Sequence, residues 1–472
     1  MKLKISRDEV KKHSTIDSLW IVLDNNVYDV TKMVDSHPGG ADPLLLVAGG
    51  DATDAFTNYH PSYVRKRLTS YCIGELEPCD RTPIPAFLQE YRDLHETFEK
   101  EGLYNINQWY FARLYIWCAL LWLLAVALTL LGDSVTTRLA GSATLGLFIQ
   151  QTLFLGHDAG HNDITHRLST DRWYGLLFGP LLTGISMVWW KHDHNMHHFA
   201  TNSIQHDCHM RTMPVLAADM GMFQWHLQSR RAGQALQVVS KWLVSHQDWT
   251  FFPIMFVLGR INLHVKGHVY VFGQLCRGLK EQGHAFVLGY YGRDCLLDFL
   301  GCFLYFVWFG SLVASLPTAS ERFFYVSLTH AVAGIIHLQI CVNHYPMPMF
   351  HGTHQGLPPS DVRQTWPAMH VEGTVNVDCP TWMDWFHGGL HLQIEHHLWP
   401  RIPRHNLRAI QPRTMLLCEK HGIPYNALSF FPAVWNLYDH MVKMAHEVQK
   451  LPSDQVPSFW DSITYKAACL EG

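Results

Sequence analysis

The run LAGSATLGLFIQQTLFLGHDAGH, residues 139–161, carries the reading that decides the fold. Residues 139–156 of it hold no charged side chain, and a helix of that length is about long enough to cross a ~30 Å hydrocarbon layer. The same run continues without a break into His157-Asp158-Ala159-Gly160-His161. Histidines at i and i+4 share one helix face. A membrane span that ends on two such imidazoles places a candidate metal site at the membrane surface.

Three more charge-free stretches of similar length lie at residues 114–131, 299–316 and 323–341. The four form two pairs. Gly132, Asp133 and Ser134 join the first pair and Pro317 the second, so two helical hairpins are expected. Basic residues are scarce in those joints. Arg167, Arg172, Lys191, Arg211, Arg230, Arg231, Lys241, Arg260 and Lys266 crowd the segment between the hairpins, which assigns that segment and both termini to the cytosol. Asp298, Arg322 and Arg113 at the span edges are expected to snorkel. A fifth apolar stretch, residues 173–190, is interrupted by Gly175, Gly179, Pro180 and Gly184. If it crossed the membrane, everything after it would change sides.

Composition agrees with a membrane chain. Of 472 residues, 48% are hydrophobic, 13% aromatic and only 16% charged, against roughly 25% charged in soluble domains. A net charge of -4 offers no basic field for nucleic acid. The 11 cysteines include no C-x-x-C pair, so neither a disulfide framework nor a zinc ribbon is encoded and a reducing, cytosol-facing environment fits. The opening MKLKISRDEVKKHS has no apolar stretch behind its basic residues and is not read as a signal peptide. The 32 histidines nearly equal the 36 lysines and arginines. They thicken into clusters.

His194-Asn195-Met196-His197-His198 places histidines at i, i+3 and i+4, and Gln393-Ile394-Glu395-His396-His397 repeats that spacing with Gln first. Each cluster can aim several imidazoles at one point, and such a donor set suits Fe, Zn, Cu or Ni. The carboxylate-bridged alternative needs paired Glu-x-x-His motifs, and only Glu281 to His284 occurs, with Gly283 inside it. Seven histidines in three clusters exceed one tetrahedral zinc. Two metals are the natural count. His192, His206, His209, His354, His391 and His405 are read as surface or hydrogen-bonded histidines. Because the second cluster must share the site with the first, residues 173–190 should enter the membrane and return, or lie along it.

The N-terminal part reads as a separate soluble module over residues 1–76, with short apolar runs at 19–23 and 27–30. Pro78, Pro83 and Pro85 mark a linker, residues 77–108 in all, in which 87–100 has the spacing of an amphipathic helix that either packs on the next domain or lies on the membrane. Within the module, His37-Pro38-Gly39-Gly40 is followed by His60. Two neutral imidazoles can fill both axial positions of a haem iron, leaving an electron-transfer site. On spacing alone this is equally a turn with a surface histidine.

Residues 3–76 resemble a cytochrome b5 domain, with Val27-Tyr28-Asp29-Val30-Thr31 ahead of the His-Pro-Gly-Gly. The resemblance implies a haem b with His37 and His60 as axial ligands. The whole chain resembles the front-end lipid desaturases, which fuse such a domain to a membrane desaturase with H-x3-H, H-x2-H-H and Q-x2-H-H boxes. Leu182-Thr183-Gly184-Ile185-Ser186, Cys379-Pro380-Thr381-Trp382-Met383-Asp384-Trp385-Phe386-His387-Gly388-Gly389-Leu390 and Trp399-Pro400-Arg401-Ile402-Pro403 extend the match. One departure is His206-Asp207-Cys208-His209, where relatives often carry an Asp-rich stretch.

The resemblance implies an α+β haem domain and a helical membrane desaturase domain over residues 109–472, with four transmembrane helices and a cytosolic cap. It implies a pair of iron ions on His157, His161, His194, His197, His198, His396 and His397, with Gln393 in place of a first histidine. A further ligand is expected just after the last span, His344 first and His337 second. The expected reaction is O2-dependent desaturation of a fatty-acyl (Δ6, Δ8 or Δ5) or sphingoid-base (Δ8) chain in the endoplasmic reticulum membrane, with electrons passing from NADH-cytochrome b5 reductase through the haem. A di-iron lipid hydroxylase and a haem electron carrier with a vestigial metal site are the alternatives. Tryptophans at 189–190 and 382–385 read equally as tunnel lining or as an interfacial belt.

Overall fold

The computed structural model describes residues 3–210, 212–228, 234–350 and 362–451; Arg211, Arg230, Arg231 and His354 lie outside them. In the N-terminal module, strands β1 (Lys4–Ile5), β2 (Ser14–Thr15), β3 (Ser18–Leu23), β4 (Asn26–Asp29) and β5 (Cys72–Leu76) form one sheet in the order β1-β5-β4-β3-β2. All pairings are antiparallel except β1 with β5. Alternation along β3 sends Leu19, Ile21 and Leu23 into the core beneath the short helices, while Val22 joins Ile5, Val10, Val27 and Leu76 on the other face. His37 and His60 each stand at the C-terminal end of a short helical segment, Thr31–Ser36 and Thr53–Tyr59.

The linker helix runs Ala86–Lys100 after Pro85. Its apolar face, Phe87, Leu88, Tyr91 and Phe98, is buried against Leu398, Trp399, Leu407, Ile410 and Leu417 of the C-terminal part. Of the two readings of residues 87–100, packing on the next domain is the one the structure shows.

Among the described residues, four helices are long and apolar enough to cross a membrane: Gln108–Leu131, Val135–His161, Tyr290–Ala314 and Ala319–His344. Ser134 and Thr318 accept from the backbone N–H groups of Thr137 and Glu321, capping the second and fourth spans where each hairpin turns. The tips are joined by an ion pair from Arg138 Nε to Glu321 at 2.8 Å. Spans two and four meet through small residues. A Cβ on Gly146 would stand 2.6 Å from that of Val332, and Ser142 donates to the Tyr325 carbonyl at 2.7 Å. Both spans therefore run side by side and deliver their last turns, His157 to His161 and His344, to one end of the bundle.

Residues 173–190 do not cross. A helix over Leu168–Leu176 widens at Leu177–Leu181 around Pro180, the chain turns at Gly184 with φ +70°, and a new helix starts at Met187. Asp298 does not snorkel. It is buried and accepts from the N–H groups of Met187 (2.6 Å) and Val188 (2.9 Å), fastening this helix start to the third span. Arg322 folds back instead onto the carbonyls of Ala314 and Leu316. Arg260, counted above among the flanking cations, is also buried, with Nη2 directed at the Tyr305 hydroxyl and the Thr183 carbonyl. Gly283 ends the helix Gly259–Gln282 with φ +59°, so Glu281 and His284 sit on separate helices and form no Glu-x-x-His site.

The remaining helices and a two-stranded parallel sheet, β6 (Asn376–Asp378) with β7 (Ala427–Ser429), build a cap over the same end of the bundle.

Candidate metal centre and haem pocket

The three histidine clusters converge. His157 and His161 come from the last turn of the second span, His194, His197 and His198 from the helix Met187–Phe199, and His396 and His397 from the short helix Gln393–Leu398. Their ring nitrogens fall into two adjoining groups: His157, His161, His194, His198 and His396 in one, His197, His344 and His397 in the other, with donor atoms within 4.8 Å of one another in each. The helix Met187–Phe199 divides them, since i and i+4 point to the first group and i+3 to the second. Gln393 Nε2 lies 3.2 Å from His344 Nε2 and 3.1 Å from His397 Nε2. His337 stays outside both groups and faces the Met255 carbonyl at 3.1 Å.

The spacings fit shared ions. His194 Nε2 is 2.9 Å from His161 Nε2 and 3.0 Å from His198 Nε2. Ligands about 2.1 Å from one metal and at right angles to each other stand about 3 Å apart. Buried atoms without a protein partner include Nε2 of His157 and His396 and Oε1 of Gln393. Burial, reinforced by neighbouring imidazoles, holds His194, His198, His396 and His397 well below the ordinary imidazole value, and brings His197 down to about 3. All are neutral, with a lone pair available.

Outer contacts set which nitrogen faces inward. His197 Nδ1 donates to Asp207 at 2.9 Å. Thr201 donates its hydroxyl to the His197 carbonyl at 2.8 Å and so accepts from His397 Nδ1 at 3.0 Å. In both rings Nε2 is left for the second group. Glu395, within the third cluster between Gln393 and His396, accepts from Asn376 and from the Tyr425 hydroxyl, each at 2.7 Å, while Asn376 accepts from Ile394 N–H. Arg404 pairs with Asp158 at 3.1 Å and donates to the Gly388 carbonyl at 3.0 Å, tying the end of the second span to the turn before the third cluster. Gly388, with φ +58°, has no room for a side chain, since a Cβ would come 2.2 Å from the Phe154 ring.

Sequence reasoning missed several neighbours. His209 stacks on His197 at 4.4 Å and pairs with Asp193 at 3.3 Å, so it lines the centre and is no surface residue. Its signal was the short His206-Asp207-Cys208-His209 segment, which also supplies Asp207. His370 was not singled out, yet its Nε2 is 2.7 Å from the His198 carbonyl. The tryptophans divide: Trp190 stacks on His194 at 4.2 Å, whereas Trp382 is 70% exposed and Trp385 meets Trp117 of the first span at 6.1 Å. Cys379, Asp384 and His391 also meet, but Arg408 reaches into that group and pairs with Asp384.

In the N-terminal module the His37 and His60 rings face each other with centroids 5.9 Å apart. Two metal–nitrogen bonds of ~2 Å plus two ring radii account for about 6 Å. His37 Nδ1 donates to the Gly40 carbonyl at 2.8 Å and His60 Nδ1 to the Phe56 carbonyl at 3.0 Å, leaving both Nε2 atoms for a haem iron. Burial lowers both rings, His60 to about 4.

The two sites are close neighbours. Phe199 and Ala200, directly after His198, complete the module's hydrophobic core. Arg92 pairs with Asp54 at 2.7 Å, and Tyr91 accepts from Asn58 while donating to the Leu398 carbonyl at 2.8 Å.

Comparison with known proteins finds two family matches and several similar chains. The family described as "Fatty acid desaturase" matches residues 134–429, and "Cytochrome b5-like Heme/Steroid binding domain" matches residues 6–77. Similar proteins include "Delta(8)-fatty-acid desaturase 2" of Arabidopsis thaliana, 35% identical over 92% of either chain. "Acyl-lipid (9-3)-desaturase" of Borago officinalis is 33% identical over 92% of this chain and 91% of that one. "Delta 8-(E)-sphingolipid desaturase" of Emericella nidulans is 33% identical over 72% of this chain and 59% of its own.

Proposed function

This chain belongs to the fatty acid desaturase family and carries a fused cytochrome b5 domain, and from that membership we propose how its histidines divide the work of a front-end lipid desaturase. His37 and His60 hold haem b in a module of residues 1–76. Residues 77–108 join it to the desaturase domain, 109–472. One iron is held by His157, His161, His194, His198 and His396, the other by His197, His344 and His397, with the Gln393 amide beside the last two. The observation that supports this division is the convergence of five and three ring nitrogens into adjoining groups whose outer nitrogens are partly engaged by Asp207 and Thr201.

An iron pair, when bound, supplies the O2-dependent oxidising power that unactivated C–H bonds require and that side-chain acid–base chemistry lacks. The protein keeps the ligands neutral by burial, orients them through Asp207, Thr201, Glu395 and Arg404, and shields the centre with Trp190 and the cap. The substrate is a long alkyl chain of a fatty acyl group or a sphingoid base. Electrons enter from NADH-cytochrome b5 reductase. The chain sits in the endoplasmic reticulum membrane with both termini cytosolic, a placement supported by the basic residues Arg167, Arg172, Lys191, Lys241 and Lys266 between the hairpins.

Expression in yeast with candidate acids, followed by analysis of both fatty acids and long-chain bases, tests the reading. New unsaturation in one pool is expected. Equal profiles for wild type and His194→Ala would overturn it.

A further inference from the structure

The stretch Trp366–Glu372 begins a short helix wedged between the haem module and the metal centre. Trp366 faces the module: its ring lies 6.3 Å from that of Tyr59, the residue before His60, and its Nε1 donates to the Phe199 carbonyl at 3.2 Å. One turn on, His370 is buried against the Trp366 ring, centroid to centroid 4.0 Å. His370 Nδ1 stands 2.8 Å from the Trp366 carbonyl and Nε2 stands 2.7 Å from the His198 carbonyl, and its ring is 5.7 Å from that of His397. Tyr59 also stacks on Phe199 at 6.3 Å. A chain of aromatic rings and short hydrogen bonds thus runs from the residue beside one haem ligand to a histidine of each metal group.

We propose that Tyr59, Trp366 and His370 form the relay through which electrons pass from the haem to the metal centre. The proposal rests on the division of histidines given above and adds the residues that connect the two sites. Desaturation of one –CH2–CH2– unit by O2 yields –CH=CH– and two waters, and consumes two electrons and two protons beyond those taken from the chain. A haem iron gives one electron at a time, going from ferrous to ferric, so the relay is used twice per double bond. The reductase restores the ferrous haem after each transfer. No bond is made or broken in the relay residues. Trp366 and His370 touch the protein frame of each site and are positioning residues for transfer.

The experiment uses the full-length holoprotein in detergent with its haem reduced anaerobically, then mixed with O2 and substrate while haem absorbance is followed. Trp366→Leu is expected to slow haem reoxidation by about tenfold or more, because the ring that spans the gap is gone, and Trp366→Phe to recover part of the rate. Haem spectrum, haem midpoint potential and iron content are expected to match wild type. In a second arm a small redox mediator reduces the metal centre directly, and Trp366→Leu is expected to give the same single-turnover product as wild type. Reoxidation of the Leu variant at the wild-type rate would overturn the relay. So would loss of product in the mediator arm, which would mark Trp366 as structural. Tyr59→Leu, remote from the metal ligands, checks the haem side: an unchanged reoxidation rate would remove Tyr59 from the route. If wild-type haem is not reoxidised faster when substrate is added, the functional reading itself fails, and the relay with it.

Discussion

The two histidine sites of this protein are built in opposite ways. The proposed haem pocket pairs two histidines from one small module, each fixed by a hydrogen bond from Nδ1 to a nearby backbone carbonyl, three or four residues away. The metal centre draws on two spans, the helix Met187–Phe199 and the helix Gln393–Leu398, and its rings are aimed by side chains from elsewhere: Asp207 and Thr201 directly, Arg404 and Glu395 through the frame. A locally built site can form as soon as its module folds. A site assembled over a sequence distance from His157 to His397 exists only when both hairpins and the cap are in place.

This difference predicts that the sites fail separately. The largest effect is expected for His194→Ala, whose ring nitrogen lies near 3 Å from those of both His161 and His198. Desaturation should fall to background and iron content should drop, while the haem spectrum of the same preparation stays that of wild type. A variant that retained its iron and made product would separate His194 from the centre. His60→Ala should do the reverse, removing the haem while the iron remains. NADH-driven turnover should vanish, yet a mediator that bypasses the haem should restore a single turnover. Loss of both irons in His60→Ala would show that the metal centre depends on the haem module for its assembly.

A smaller effect should follow from disturbing an outer contact. Asp207→Asn keeps the size of the group but removes the charge that faces His197 Nδ1, and such changes commonly cost about 10–100-fold in metal affinity. Titrating iron into the apoprotein of both forms measures it. An equivalent change at the haem has no side chain to target, because carbonyls of Gly40 and Phe56 do that work. If Asp207→Asn binds iron like wild type, the long-range orientation ascribed to the metal centre is wrong.

The same contrast explains what was legible in the sequence. His37 and His60 could be picked out because the residues that shape their pocket are local and the resemblance covers them together. The boxes could be read too, since i, i+3 and i+4 spacing states which imidazoles share a helix face. The four spans were visible as charge-free runs, although their ends shifted: the fourth extends to His344 through a slight break at Gly334. What could not be read were partners chosen by tertiary packing. Nothing near His370 marks it as a neighbour of His198, and Asp158 gives no hint of Arg404, 246 positions later. Asp298 looked like an interfacial charge because a span edge normally favours one, yet the free N–H groups at Met187 and Val188 draw it inward.

At neutral pH the smallest expected effect lies at the joint between the two regions. His95, on the inner face of the linker helix Ala86–Lys100, is buried with Nδ1 3.0 Å from the Tyr104 hydroxyl. Burial, with a further push from Arg401, lowers it to about 4. Since the ordinary histidine value is ~6.5, a helix lifted off the cap takes up a proton between about pH 6.5 and 4 that the docked helix refuses. Docking is therefore at full strength above pH 6.5 and weakens as pH falls through that window, by at most about 3 kcal/mol. Hydrogen exchange of the helix in detergent should accelerate from pH 6.5 downward, once corrected for intrinsic rates. His95→Gln, which leaves an acceptor for Tyr104 and no proton to bind, should flatten the dependence. If the helix of the Gln variant loosens over the same window, the joint is governed by another group. The loosening matters for the comparison because Tyr91 and Arg92 on this helix hold Asn58 and Asp54 of the haem module. A joint that opens with acid would leave both iron sites intact and part the two regions that must meet for electrons to cross.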